Sequence, residues 1–205
     1  MSAGSDTKFA TLRRWGMLGA LAFLATGCTA LTDNRVSVDY YSISGKTTAA
    51  LDRQIRSKGP RIAGGRHAVA VARIRMVPDV AYAATGGACR VSRARVLVDA
   101  KVTLPRFTGR HRAPRSVNAA WDSIDRYTRL HEAVHVAIAF RYAKRMESAV
   151  RALPTQPSCQ SLQRTVKRRL QQYLDEHDAA QRKFDADEQA RFEKLADSRM
   201  LKRRG

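Results

Sequence analysis

The sequence predicts an α+β fold: a small antiparallel sheet with one short helix, packed on a long antiparallel helical hairpin. Up to residue 115, short valine-rich runs alternate apolar and polar residues and are separated by glycine and proline, which is typical of strands. From residue 116 onward, apolar residues recur at helical spacing, interrupted near Pro154 and Pro157. We therefore expect one domain over residues 28–205, in which 28–115 is mainly strands and 116–205 is two long helices.

Three segments in the first part have the pattern of strands: Arg35–Ser44, His67–Val77 and Cys89–Leu104. The second is expected to stop at Pro78, and Pro105 is expected to close the third, because proline donates no hydrogen bond to a sheet. Between the first two segments, Thr47 or Thr48 can cap the short helix.

Two helices are predicted in the second part. Ser116 can cap the first, which runs towards Leu153. The second begins near Ser158 and extends to about Arg199. Because the loop between them is short, the two helices are expected to pack antiparallel.

Residues 1–27 have the features of a bacterial lipoprotein signal peptide. Basic residues precede an apolar run of about a dozen residues, which is too short to span a bilayer comfortably. The run ends in small residues before Cys28, so we expect cleavage before this cysteine and acylation of it. An ordinary secretory signal or an uncleaved anchor helix is the alternative. Thr29 is not aspartate, which favours the outer membrane over the inner membrane for an exported, lipid-anchored, periplasm-facing protein.

The chain is strongly basic, with 38 Lys and Arg against 18 Asp and Glu and a formal net charge of +20. Removing residues 1–27 leaves 38−3 = 35 basic and 18−1 = 17 acidic residues, a net charge of +18. This balance favours the membrane surface and anionic polymers of the envelope as partners. The export signal argues against nucleic acid as a partner, and so does the lack of aromatic residues interleaved with the basic ones.

The three cysteines also fit export. If Cys28 is acylated, Cys89 and Cys159 remain as a pair. In an oxidising compartment such a pair most simply forms a disulfide. Two free buried thiols are the alternative, and no Cys-x-x-Cys motif indicates a thiolate metal site.

One stretch carries a pattern with chemical meaning, His131-Glu132-Ala133-Val134-His135. Residues four apart lie on one face of a helix, so both imidazoles can reach one metal ion. In zinc peptidases such an ion activates water, and the adjacent glutamate acts as general base. Two histidines on an amphipathic helix, one packed against the core, are the alternative. The apolar flanks favour a buried zinc site with His131 and His135 as ligands and Glu132 as catalytic base.

Several short motifs carry a family resemblance: Asp39-Tyr40-Tyr41 followed by Gly45, Ala88–Val91, Val102–Pro105, Trp121, Leu130–Glu132 with His135, and Cys159. Together they resemble the predicted secreted zinc-dependent proteases of bacteria, a domain of unknown function. The resemblance covers about residues 36–184. It implies an exported domain, a Cys89–Cys159 bridge and a zinc peptidase active site acting on peptide or protein substrates.

The third zinc ligand is where the chain departs from that family. The family pattern Tyr-Asp-x-x-Thr-x-His-Gly is replaced by Phe184-Asp185-Ala186-Asp187-Glu188-Gln189-Ala190-Arg191, so its histidine is lost. The retained aromatic-Asp pair favours Asp185, with Glu188 and His177 as alternatives. Helix register favours His177, because about 20 residues from His135 to the turn, and as many back, lead to about residue 177.

The sequence thus predicts a membrane-anchored zinc metallopeptidase. Two other hypotheses remain open at this point. One is a non-catalytic envelope lipoprotein that has lost a third zinc ligand, and the other is a basic surface protein that binds polyanions.

Overall fold

The computed structural model describes residues 34–202, with side chains up to Lys194. The predicted signal peptide and Cys28 lie outside the described residues. The elements, in chain order, are β1 (Arg35–Ile43), α1 (Thr48–Lys58), β2 (Val71–Thr85), β3 (Ala88–Phe107), α2 (Arg115–Arg151) and α3 (Cys159–Lys202). The α+β class and the two long helices packed on a small sheet are confirmed.

The sheet is mixed, where the sequence indicated an antiparallel one. Its strand order is β1-β3-β2, with β3 antiparallel to β2 and parallel to β1. The hairpin between β2 and β3 returns the chain into the space beside β1. Since β1 and β2 run in opposite directions, the strand between them must be parallel to one of the two.

Both prolines that were expected to end strands lie inside them. Pro78 lies within β2, an edge strand that starts at Val71, and its partner Val96 directs its N–H to Glu147 and not to β2, so the missing N–H of Pro78 costs no ladder hydrogen bond. Pro105 lies within β3 and is paired with β1 alone, because β2 begins opposite Thr103. The stop signals were wrong because proline is tolerated in a strand where its nitrogen faces no neighbouring strand.

The helix starts show how far local signals reach. Thr47 caps α1 as predicted, its Oγ1 accepting the Ala50 backbone N–H at 3.1 Å. Ser158 precedes α3, and its Oγ accepts the Ser161 N–H at 3.2 Å. Ser116 is not a cap, because α2 already starts at Arg115 after Pro114.

The main core lies between β3 and the middle of α2. Val98 and Ala100 of β3 are fully buried and belong to the same cluster as Ala139 and Met146 of α2. The packing of β3 against α2 fixes the position of the helical turns that follow the His-Glu-x-x-His motif. The motif therefore lies on a packed scaffold, as a precise site requires.

α3 is anchored unevenly along its length. Its first turns bury Leu162 and Val166, whereas none of its side chains from 178 to 194 is buried. The second half of α3 is therefore held mainly by the contacts of the site described below.

Over the residues that the structure describes, no helix is long and apolar enough to cross a membrane.

Cys89 and Cys159 form a disulfide, as predicted. It joins the start of β3 to the first residue of α3 across 70 residues, and two backbone hydrogen bonds between Cys89 and Gln156 brace the same junction. Cys89 is almost fully buried.

Replacing Cys159 by serine is expected to lower the free energy of unfolding by about 2–4 kcal/mol, because the unfolded chain is no longer cross-linked. Urea denaturation of oxidised parent and variant measures the difference, and reduced parent is the control, since it should match the variant. Two free thiols in exported, denatured and unreduced protein would contradict the bridge.

Candidate metal centre

Three potential metal ligands from two helices converge on one point. His131 and His135 lie one turn apart on α2, and Asp185 faces them from α3. The two histidine Nε2 atoms are 3.1 Å apart. Asp185 Oδ1 lies 3.0 Å from the Nε2 of His135 and 3.5 Å from that of His131. These residues could bind a metal ion.

The spacing of these atoms fits a tetrahedral ion. Ligands about 2.0–2.1 Å from such an ion are separated from one another by roughly 3.3 Å. The three observed separations, 3.0, 3.1 and 3.5 Å, lie around that value. The Asp185 side chain is 56% exposed, so this side of the cluster is open to solvent.

A hydrogen-bond chain fixes the orientation of His135. Its Nδ1 lies 2.6 Å from Gln181 Oε1, while Gln181 Nε2 donates to the His135 backbone carbonyl at 3.1 Å. The same Nε2 lies 2.8 Å from His177 Nε2. Because the amide nitrogen faces these acceptors, its oxygen must accept from His135 Nδ1–H. The lone pair of His135 is then on Nε2, at the cluster.

His131 is oriented in the same way by a carboxylate. Its Nδ1 lies 3.3 Å from Glu188 Oε2, and the same oxygen accepts the Tyr127 hydroxyl at 2.6 Å. This hydrogen bond from Tyr127 keeps the pKa of Glu188 below its usual range, and burial raises the pKa of Tyr127. At neutral pH the phenol is therefore the donor and Glu188 is ionised. Such outer partners hold the ligating face of a metal-bound imidazole in place.

Two lone pairs and a carboxylate oxygen thus point at one another. With both Nδ1 atoms donating outward, neither Nε2 of neutral His131 or His135 carries a proton towards Asp185. Three electron-rich atoms within 4.8 Å of one another repel unless a proton or a metal cation lies between them. The donor chemistry therefore fits a bound cation.

Glu132 lies beside this cluster in a buried position. It is only 5% exposed. Burial raises the pKa of its carboxyl, while the imidazoles of His135 and His131 and a hydrogen bond donated by the Ala72 backbone N–H act in the opposite direction. A carboxylate with a raised pKa next to potential metal ligands is suited to exchange protons.

These groups line a cleft of about 450 Å³, which we call the metal-side cleft. Ala70, which directly precedes β2, and Ala72 and Ile74 of β2 form its opposite wall. Phe184 packs on the cluster, with its ring centroid 5.0 Å from that of His131 and 5.1 Å from that of His135. The arrangement places a buried carboxylate, a set of metal ligands and open space side by side.

Comparison with known protein families matches residues 38–193 to the family described as "Bacterial protein of unknown function (DUF922)". The match covers 193−38+1 = 156 of the 205 residues. The chain belongs to the DUF922 family. No curated protein and no solved structure matches it. The family description names no activity, so the zinc peptidase part of the resemblance stays a proposal.

Of the alternative ligands in this DUF922 chain, neither His177 nor Glu188 belongs to the three-residue cluster. His177 is buried one turn from Gln181 and packs against Tyr142, and Glu188 meets the outer nitrogen of His131. The register that favoured His177 was wrong by about one turn. Gln181, and not His177, lies opposite His135. Because α2 ends 16 residues after His135 whereas Gln181 lies 22 residues after the start of α3, the two arms of the hairpin are unequal in length.

The sequence analysis missed Tyr127 and Gln181 as site residues. Tyr127 lies four residues before His131, and Gln181 lies four residues before Asp185. Residues at that spacing share a helix face with the ligand. The helical stripe through each ligand was therefore the signal, but an isolated glutamine or tyrosine on a polar helix is too common to be singled out.

Proposed function

We propose that this chain is a membrane-anchored zinc-dependent metallopeptidase. One observation carries the proposal: two histidines and a carboxylate form a cluster at tetrahedral ligand spacing, with a buried glutamate beside it in an open cleft. Two imidazoles and one carboxylate are the ligand set of a known class of catalytic zinc sites. Bound zinc supplies a Lewis acid that polarises the scissile carbonyl and activates water at neutral pH.

Each of the surrounding residues then has a task. Glu132 takes a proton from the attacking water and passes it to the leaving amine. The raised pKa of Glu132 favours its protonated form, which is the form that donates the proton to the leaving amine. Gln181 and Glu188 hold the Nε2 atoms of the two histidines towards the cluster. Phe184 covers one side of the imidazoles and excludes water from it.

The alternative of a non-catalytic lipoprotein depended on the loss of a third ligand. Asp185 supplies a carboxylate at the required spacing, which removes the main reason for preferring that alternative.

The direct test is metal-dependent hydrolysis by the purified full-length chain. We expect about one zinc per chain by elemental analysis. We also expect cleavage of an unfolded protein such as casein, with the activity lost on chelation and regained on adding zinc. A chain that takes up no zinc at micromolar concentrations would contradict the proposal.

We also propose that the protein is exported and anchored through acylated Cys28. Replacing Cys28 by serine is expected to move the protein from the membrane to the soluble fraction and to remove labelling by a fatty-acid analogue. Fractionation and metabolic labelling of parent and variant measure this, with Cys159→Ser as the control that keeps Cys28. Equal labelling of the parent and the Cys28→Ser variant would disprove the anchor.

Zinc is further expected to stabilise the second half of α3. Its side chains from 178 to 194 are not buried, so the half that carries Asp185 docks mainly through the site. Metal binding that joins two elements stabilises the docked state. Hydrogen exchange should therefore slow in residues 178–194 on adding zinc, while the core around Met146 should not change. Equal exchange with and without zinc in both segments would show that the helix docks without the metal.

A further inference from the structure

A second cleft adjoins the metal-side cleft and differs from it in character. It has a volume of about 490 Å³ and extends along α2 from Glu132 to Ile124, with Phe192 of α3 at its far wall. We call it the apolar cleft. Eight residues of helix correspond to about 12 Å. The cleft is thus large enough for one bulky side chain.

The two clefts are joined at the site itself. His131, Glu132, Ala68 and Ala70 line both of them. A chain whose carbonyl lies at the metal cluster can therefore place a neighbouring side chain in the apolar cleft without crossing a barrier of side chains. This continuity indicates what occupies the cleft, because whatever binds there touches Glu132.

The lining sets the chemistry of that occupant. Apart from His131 and Glu132, every side chain of the apolar cleft is uncharged. Ile124, Tyr127 and Phe192 line it and are 41%, 38% and 45% exposed, so together they present a contiguous apolar surface to solvent. Tyr127 and Phe192 pack edge to face with centroids 4.9 Å apart, so the two rings form one continuous wall.

We infer that the apolar cleft binds a large apolar side chain, aromatic or branched aliphatic, next to the scissile bond of a peptide substrate. This inference rests on the proposed peptidase function. An acidic side chain would lose its hydration there and would lie beside the carboxylate of Glu132. A glycine would leave the cleft unfilled and lose the apolar contact.

The test begins with zinc-loaded full-length protein and a mixture of peptides, with cleavage sites mapped by mass spectrometry. A cleaved peptide is then remade with Phe, Leu, Gly or Asp at the position next to the cut. We expect kcat/KM to be at least about 10-fold higher for Phe and Leu than for Gly and Asp. In the Glu132→Gln variant, fluorescence anisotropy should give the same order of binding affinity without turnover.

Two variants connect the preference to the cleft. Ile124→Asp should lower kcat/KM for the Phe peptide about 10-fold or more and reduce its advantage over the Gly peptide. Leu130→Asp on the same helix is the matched control, because Leu130 is 64% exposed and does not line the cleft. Phe192→Ala provides a second variant from α3, and melting curves show whether each protein is folded.

The outcomes separate the inference from the function on which it rests. Zinc-dependent cleavage without preference for a bulky apolar residue, or with the same preference in Ile124→Asp, overturns the inference and leaves the peptidase proposal intact. If no peptide is cleaved in a zinc-dependent manner, both the inference and the peptidase proposal are overturned. A preference lost in Ile124→Asp and kept in Leu130→Asp supports both.

Discussion

Replacing Glu132 by glutamine is expected to lower kcat/KM for peptide hydrolysis by about 10²–10⁴-fold, the usual contribution of a general acid or base. The amide has nearly the same size as the carboxyl, so the buried position stays filled, but it cannot accept a proton from water. Zinc content should be unchanged, because Glu132 is not one of the three clustered residues. Steady-state kinetics and elemental analysis of the same preparations measure both quantities.

The matched control is Glu176→Gln. Glu176 lies on the surface of α3 and pairs with Arg145, away from the site. The Glu176→Gln protein should retain both its bound zinc and its peptidase activity. If Glu132→Gln hydrolyses peptides at the parental rate while chelation still abolishes activity, another group is the base and the assignment of Glu132 is wrong.

Replacing Asp185 by alanine is expected to weaken zinc binding more than about 100-fold, because loss of even an outer partner costs 10–100-fold in metal affinity. The remaining His131 and His135 share one helix and hold zinc poorly. Competition with a chromogenic chelator measures the dissociation constant. Asp187→Ala is the matched control, since Asp187 lies two residues away and pairs with Lys183.

His177 provides the contrasting result. It lines the metal-side cleft and is linked to His135 through Gln181, whose amide also holds His135. His177→Ala should therefore weaken zinc binding by no more than an outer partner does, and clearly less than Asp185→Ala. If His131→Ala abolishes zinc binding and Asp185→Ala does not, Asp185 is not a ligand and the site needs another donor.

Much of the site's local chemistry is readable from one stretch of sequence. The spacing of His131 and His135 places both imidazoles on one helix face wherever that helix packs, since i and i+4 are neighbours by helical geometry alone. Thr47 as the cap of α1 is local in the same sense. The Cys89–Cys159 bridge was also predictable, because once Cys28 is set aside as the expected acylation site, Cys89 and Cys159 are the only cysteines left to pair.

Two features depended on contacts far apart in the chain. The parallel pairing of β1 with β3 follows from the hairpin inserting β3 beside β1, and the alternation of apolar residues is the same for either direction. Pro78 and Pro105 were misleading for a related reason. A proline breaks a strand only where a neighbour needs its N–H, and the neighbours are a tertiary property.

The sequence by itself determined the helical face that carries His131, Glu132 and His135, because helix periodicity is local. Only the tertiary structure decided that Asp185, and not His177, meets them. The register of α3 against α2 is set at the end of the hairpin away from the site, where a disulfide joins Cys159 to Cys89. There the first residue of α3 lies about one and a half helical turns further along the hairpin axis than the last residue of α2. A shift of one turn there, about 5.4 Å along the axis, exchanges one candidate ligand for another.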